Sequence, residues 1–347
     1  MNEAQPTLLV SVIIVCYNCR QWLPRCFETL RQQTIYAQIE LIIVDNASAD
    51  GTEAAARELL ADWPNATIIQ TGQNLGFSAN NCGVEVARGK YVYLYNPDTW
   101  LEPDCLEQFC LAVEREQAEA AGGRILEYED NTLQAKGSTG FDIFGNPVSL
   151  SGSQDPNPLF CIAGFYFIRR DFFQRIGSLD EKFFMYGEEM DLSWRIWIAG
   201  GRVIYADRAH CHHRGAAATN PAGGTKAVEN RTSAFKRFLA NRNFLLVIAK
   251  NGQHLLLLLL VPCLLLMLAE AVATWILARS FAAAKKSCLD PIAAAWGLRA
   301  HIRAQRVRIA QIRKRSDLQM LKFLRLGFGR RHEFEAILKR GFPRFNR

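Results

Sequence analysis

Residues 40–52, ELIIVDNASADGT, decide the fold. Leu41 to Val44 is a run of β-forming apolar residues with no alternation, the pattern of a strand buried on both faces. Asp45 closes the run with a carboxylate, Ser48 to Gly51 read as a turn, and a helix is expected over Thr52 to Ala61. The same unit repeats on either side. LLVSVIIVCYN (8–18) is a strand ending on Tyr17 and Asn18. From Gln21 to Gln33, Leu23, Phe27 and Leu30 fall on one helical face, and Pro24 sits in the first turn, where its missing N–H costs little. ATIIQT (66–71) reads as a strand, Leu75 to Arg88 as a helix, and KYVYLYN (90–96) as a fourth strand. Strand–helix alternation of this kind predicts an α/β fold with a mostly parallel central sheet. Ligands in such sheets bind at the carboxyl ends of the strands, which makes Asn18, Asp45, Asn46, Asn96 and Asp98 the residues to watch.

The chain has 347 residues, about half of them apolar, enough for a large core. Its formal charge of +7 is unevenly placed. From Arg299 onward there are fifteen Lys and Arg against three acids, a surplus of +12 that exceeds the charge of the whole chain. Such a tail calls for an anionic partner. Its Arg residues are interleaved with Ile, Leu and Val instead of stacking aromatics, which argues against nucleic acid. Ten scattered cysteines, Cys16 and Cys19 included, complete no zinc pattern and read as buried free thiols. The first residues show no basic leader or cleavage site, and with the cysteine usage this points to a reducing, cytoplasmic compartment.

Beyond residue 100, three groups carry chemistry. Asn96-Pro97-Asp98 places a carboxylate at a strand end, able to hold Mg2+ or Mn2+ against a diphosphate; a plain turn is the alternative. FFMYGEEMDLSWR (183–195) puts Glu188, Glu189, Asp191 and Arg195 at the start of a helix near Glu188 to Ala199. Acids suit a helix N-terminus, and flanking aromatics desolvate a base and raise its pKa toward working pH. His210, His212 and His213 follow the strand RVIYADRAH; one of them completes a metal site with Asp98 or binds phosphate, or the cluster is a polar loop.

Taken together and in order, SVIIVCYN, ELIIVDNASADGT, NLGFSANNCG, YLYNPDT, AGFYFIRRDFF with GSLDEKFFMYGEEMDLSWR, and HHRGAA resemble glycosyltransferase family 2, in particular its bacterial rhamnosyltransferase-like branch. The resemblance spans residues 8–217. It implies a GT-A-type nucleotide-binding fold, a divalent cation (Mg2+ or Mn2+) and an inverting single displacement from a nucleotide sugar, dTDP-rhamnose first, to a lipid-linked or polysaccharide acceptor. Carried over by position, Tyr17, Asn18, Asp45, Asn46, Asn74, Gly76, Asn96 and Arg195 contact the nucleotide sugar, and Asp98 with His212 holds the metal. Glu188, Glu189 and Asp191 form the catalytic acids, Glu189 being the base although the family usually has Asp there. That departure, and Ala216-Ala217 where a Ser or Thr often follows the Gly, leaves a catalytically inactive sugar-nucleotide-binding scaffold as the alternative.

From His254 to Ala278 the chain is strongly apolar, long enough to cross a bilayer but carrying Pro262 and Glu270. One crossing would carry the basic tail to the far side, against the positive-inside tendency. The expected organisation is therefore a catalytic domain at 1–250, re-entrant or interfacial helices at 251–290, and a basic amphipathic tail at 291–347 lying on an anionic membrane surface, with the whole chain at the cytoplasmic face of the inner membrane. The sequence leaves the oligomeric state open.

Overall fold

The computed structural model describes residues 8–149, 157–215, 231–341 and 344–346. They fall into two compact units that interleave in sequence. The first comprises Met1–Gly137, Ser153–Phe184 and Gly201–Thr225, the second Ser138–Gly152, Met185–Gly200 and Lys226–Arg347. These units cut across the divisions expected at residues 250 and 290, because the helix that carries the acid pair groups with the C-terminal helices. Residues 1–7 and the Ala216-Ala217 pair lie outside the described residues.

Among the described residues the strands in chain order are β1 (Val10–Cys16), β2 (Ile39–Asp45), β3 (Ala66–Gln70), β4 (Tyr91–Tyr95), β5 (Thr99–Leu101), β6 (Ala120–Glu127), β7 (Leu133–Ala135), β8 (Ser138–Phe141), β9 (Pro147–Ser149), β10 (Tyr166–Arg169), β11 (Val203–His213), β12 (Arg231–Ser233) and β13 (Arg344–Asn346). The first unit is built on one sheet of order β3-β2-β1-β4-β10-β6-β11-β5, with β7 on β6. The β3-β2-β1-β4 half is parallel, as expected. Beyond it the sheet is mixed: β10 runs antiparallel to both β4 and β6, and β5 antiparallel to β11. The sequence gives no sign of this, because a buried antiparallel strand such as Tyr166–Arg169 reads like a buried parallel one.

The core of this unit is what the Val/Ile runs imply. All seven residues of β2 are buried, Glu40 among them. Its carboxylate is fully occupied: it accepts from the Ser11 hydroxyl at 2.6 Å, the Arg88 amide at 2.8 Å and the Arg88 guanidinium at 2.6 Å. A buried acid with three donors carries no desolvation debt. Register then aligns the strand ends. Cys16 lies opposite Asp45, and Asp45 opposite Gln70, so the segments after β1, β2 and β3 emerge at one edge of the sheet.

The second unit is helical. The helix Glu188–Ile198 buries Trp194 against Phe141, with ring centroids 4.9 Å apart, and Trp197 against Phe323 at 4.6 Å. Its C-terminal carbonyls are taken by Arg315, which donates to Trp197 O at 2.6 Å and Gly200 O at 3.1 Å. The long helix Ala234–Asn251 ends the same way: Arg306 donates to Ala249 O and Gln253 O, and Arg313 to Asn251 O. A guanidinium satisfies the unpaired carbonyls of a helix end and complements its dipole. The basic tail is therefore spent in part inside the protein, and fewer charges face outward than the surplus of +12 suggests.

Candidate active site

In the first unit the strand-end residues divide into those that shape loops and those left open to a ligand. Asn18 adopts a positive φ of 50°. Its side-chain carbonyl accepts from Ala49 N at 2.8 Å, and its own amide donates to the Ser48 hydroxyl at 3.0 Å. It thereby ties the end of β1 to the turn after β2. Tyr17 beside it is exposed. Asn46 uses its whole amide internally: Nδ2 donates to Asn74 Oδ1 at 3.0 Å and Gly76 O at 3.1 Å, and Oδ1 accepts from Leu75 N at 2.8 Å. Asn46 and Asn74, expected on the nucleotide, thus build the loop that follows β3. Asp45 is different. It is buried, Oδ2 receives only a long 3.4 Å bond from Ser48 N, and Oδ1 has no hydrogen-bond partner. A buried carboxylate oxygen without a donor, at the carboxyl edge of a parallel sheet, is open to a hydrogen-bond donor from a ligand.

Gly76 is a glycine for a steric reason. Its φ is +67°, and a Cβ there would lie 2.1 Å from the Phe184 carbonyl oxygen, the same oxygen that accepts from Phe77 N at 2.6 Å. Gly76→Ala should therefore cost more than about 2 kcal/mol of stability, through left-handed strain and displacement of that contact. Chemical denaturation of the variant checks this; an unchanged midpoint would mean the loop is not held as described.

Asp98 closes the turn after β4, and its carbonyl accepts from Arg214 N at 3.1 Å. The imidazole beside its carboxylate is that of His213, with Nε2 3.6 Å from Oδ2, and not His212 as expected. The cause is strand alternation. β11 does not end at His210 but continues through His213, paired with β6 on one side and β5 on the other. Adjacent residues on a strand face opposite ways. His212 is buried, stacks on Trp100 with centroids 3.4 Å apart and meets Glu102 at 3.0 Å. His213 also bonds Gln134 through Nδ1 at 2.8 Å, which fixes the ring, and burial lowers its pKa, keeping the ring neutral and able to donate a lone pair at neutral pH. Among the described residues no group of three or more His, Cys, Asp or Glu converges as a metal cage. One carboxylate and one imidazole suit a divalent ion that takes its other ligands from phosphate and water. Asn96 gives its carbonyl to the Thr99 hydroxyl, a turn contact that holds Asp98 in place.

The second unit holds the acids. Gly187, at φ 83°, caps the helix Glu188–Ile198 and donates its amide to Glu189 Oε2 at 2.9 Å. Glu188 Oε2 is buried with no hydrogen-bond partner. Burial, and then the charge of Glu189, push the Glu188 carboxyl well above the usual carboxylate range. Burial also raises Glu189, and the Gly187 amide partly offsets this. The pair shares the properties of coupled carboxylates: ionising one opposes ionising the other. Tyr186, just before, has a positive φ of 69°, a strained conformation for an aromatic residue. Asn243 holds it there, donating to Met185 O at 2.9 Å and Tyr186 O at 2.6 Å.

Asp191 and Arg195 face the interior of this unit. Asp191 is buried and meets Arg195 Nε at 2.9 Å, Lys250 Nζ at 3.0 Å and Asn251 Nδ2 at 2.8 Å. They fasten the acid-pair helix to Ala234–Asn251, which makes both positioning residues in this arrangement. Sequence reasoning missed Asn243, Lys250 and Asn251. The available signal was their spacing of seven and eight residues, one face of a helix otherwise rich in buried apolar residues.

Residues 11–177 match the profile described as Glycosyl transferase family 2. This segment of the chain, just under half of its length, is similar to that family. Among its relatives are EpsH of Bacillus subtilis, 35% identical over 36% of this chain and 36% of its own length, and the chondroitin synthase of Escherichia coli, 38% identical over 29% and 15%. This chain thus spans about a third or less of those two relatives. The N-acetylglucosaminyl-diphospho-decaprenol L-rhamnosyltransferase of Mycobacterium tuberculosis is 24% identical over 68% of this chain and 86% of its own length. Solved structures share the fold, which is of the GT-A type. The Pyrobaculum calidifontis mannosyltransferase PcManGT, in complex with GDP-Man and Mn2+, has a TM-score of 0.51 at 18% identity, over 90% of this chain and 88% of that one. GalNAc-T7 with UDP, GalNAc and Mn2+ has a TM-score of 0.56 at 16% identity, over 71% and 48%.

Proposed function

We propose that this chain transfers a sugar from a nucleotide-sugar donor to an acceptor hydroxyl with inversion at the anomeric carbon, Glu189 serving as general base. The observation that carries the reading is the acid pair at the start of the helix Glu188–Ile198: two adjacent carboxyls raised by burial, one with an orphaned oxygen. A base poised this way takes the acceptor proton as the hydroxyl attacks from the face opposite the diphosphate. Glu188 is raised further than Glu189, so Glu189 is the partner that ionises more readily. Asp45 receives the nucleoside, and Asn18 and Asn46 hold the loops around it. Asp98 and His213 would hold Mg2+ or Mn2+, whose charge when bound offsets that gathering on the leaving diphosphate.

The mycobacterial relative, by its name a rhamnosyltransferase acting on a decaprenyl-diphosphate-linked sugar, supports an activated rhamnose, dTDP-rhamnose first, as the donor to try and a polyprenyl-diphosphate-linked sugar as the acceptor to try. Work at the cytoplasmic face of a bacterial inner membrane is part of the same proposal. The experiment is a panel of sugar nucleotides with Mg2+ or Mn2+ and that acceptor, read by nucleotide release. The same assay fixes the pH dependence. The base acts ionised and its pKa is raised, so kcat/KM should fall as pH drops through an apparent value above the ordinary Glu range of about 4.3. A profile flat down to about pH 5 would remove the acid pair from the mechanism.

A further inference from the structure

The helix Leu260–Leu277 and the short 3-10 turn Leu256–Leu259 before it form one continuous apolar rod. Pro262 falls in its first turn and does not break it. Spanning Leu256–Leu277, the rod is long enough to cross a bilayer, so length does not decide its role. Its two faces do. Leu258, Val261, Leu265, Leu268, Val272 and Trp275 recur at intervals of three and four and are all exposed. Cys263, Met267, Ala271 and Thr274 form the opposite, buried face.

About two-thirds of the way along the rod, at Glu270, sits a polar lock. Glu270 forms an ion pair with Arg330, whose other nitrogen donates to Asn241 Oδ1 at 2.8 Å; Asn241 in turn donates to Ser287 O at 2.8 Å. Arg330 and Glu270 are both mostly buried. This chain of polar groups joins the rod to three other segments of its own unit. A helix crossing a bilayer would carry that packed polar layer into hydrocarbon, where each charged group costs several kcal/mol. A helix lying in one leaflet keeps the lock on the protein side and buries only the outer face.

We infer that the outer face of Leu256–Leu277 is a monotopic seat, inserted into one leaflet of an anionic bilayer without crossing it. The occupant is lipid because the exposed stripe is wholly apolar, Trp275 packs edge-on against exposed Phe281 at 5.9 Å at its end, and exposed cations follow. Aromatics at the head-group level and cations beside them are the composition of an interfacial anchor. Arg279, Lys286, Arg299 and Arg303 supply the exposed positive charge. The seat does not depend on the glycosyl-transfer reading.

The test is co-sedimentation of the full chain with phosphatidylcholine vesicles, with and without about one-third phosphatidylglycerol. The wild type should bind both, more strongly with phosphatidylglycerol, and high salt should remove only that preference. Leu265→Glu with Val272→Glu should cut vesicle binding at least about tenfold while leaving the melting temperature unchanged, both sites being exposed. Arg279→Glu with Lys286→Glu should lose the phosphatidylglycerol preference alone. Protease treatment of inverted membrane vesicles should cut tags at both ends of the chain. Failure of the wild type to bind vesicles, or unchanged binding by the Leu265/Val272 variant, would overturn the seat. So would protection of one tag only, which means a span, or a stable dimer that the same variant dissociates without any effect on lipid binding.

Discussion

Glu189→Gln should lower turnover roughly a hundredfold to ten-thousandfold while leaving donor affinity nearly unchanged. The change is close to isosteric and removes only the ability to accept a proton. Gln can still accept from the Gly187 amide through its carbonyl, so the cap at 2.9 Å survives and the helix start stays in place. The fall should appear in kcat, because the lost interaction exists only when the acceptor hydroxyl is being deprotonated. Glu188→Gln is the control. Glu188 is the partner that burial and the charge of Glu189 raise further, and its neutral form is the one the site already favours. That variant should keep most of its activity and leave the low-pH limb of the profile in place, since Glu188 is already neutral where Glu189 titrates. Kinetics of both variants over a pH series check this. An active Glu189→Gln beside an inactive Glu188→Gln would exchange their roles.

Asp98→Ala should lose turnover by about a thousandfold or more with the fold intact. Asp98 ties into the fold through its main-chain carbonyl, which accepts from Arg214 N, and Ala keeps that bond. What disappears is the hard oxygen donor beside His213. Two readouts separate this from a structural effect. Water-proton relaxation by Mn2+, measured with a nucleoside diphosphate present, should show bound ion in the wild type and little in the variant. Thermal melting should show the same Tm for both without ion. His213→Ala should weaken Mn2+ binding in the same assay, whereas His212→Phe should not, since His212 stacks on Trp100 and bonds Glu102 away from Asp98. Equal Mn2+ binding by wild type and Asp98→Ala would remove the metal assignment.

The contrast between His212 and His213 shows where the sequence was legible and where it stopped. Buried strands with Asp45 at a strand end could be read from continuous apolar runs, because a strand buried on both faces tolerates little else. The acid pair could be read because adjacent acids at a helix start stand among aromatics that desolvate them, although Asp191 beside them serves the packing. Which histidine meets Asp98 depends on how far β11 extends, and that is set by its pairing with β5 and β6, far away in sequence. The antiparallel insertion of β10 was hidden for the same reason. Asn46 at a strand end and Asn74, carried over from the family resemblance, read as ligand contacts; only their partners reveal that they form the loop. The basic tail was read as surface charge, but Arg306, Arg313, Arg315 and Arg330 turn inward to carbonyls and to Glu270, pairings that local sequence does not encode.

The mechanism proposed is a single displacement in which Glu189 deprotonates the attacking hydroxyl. Its most direct test is proton NMR of the sugar product as it forms from whichever nucleotide sugar the wild type consumes in the presence of Mg2+. The account predicts that the newly transferred sugar carries the anomeric configuration opposite to that of the donor from the first turnovers, and that Glu189→Gln forms it at no more than about one-hundredth of the rate. Retained configuration, or a Glu189→Gln rate equal to that of the wild type, would contradict it.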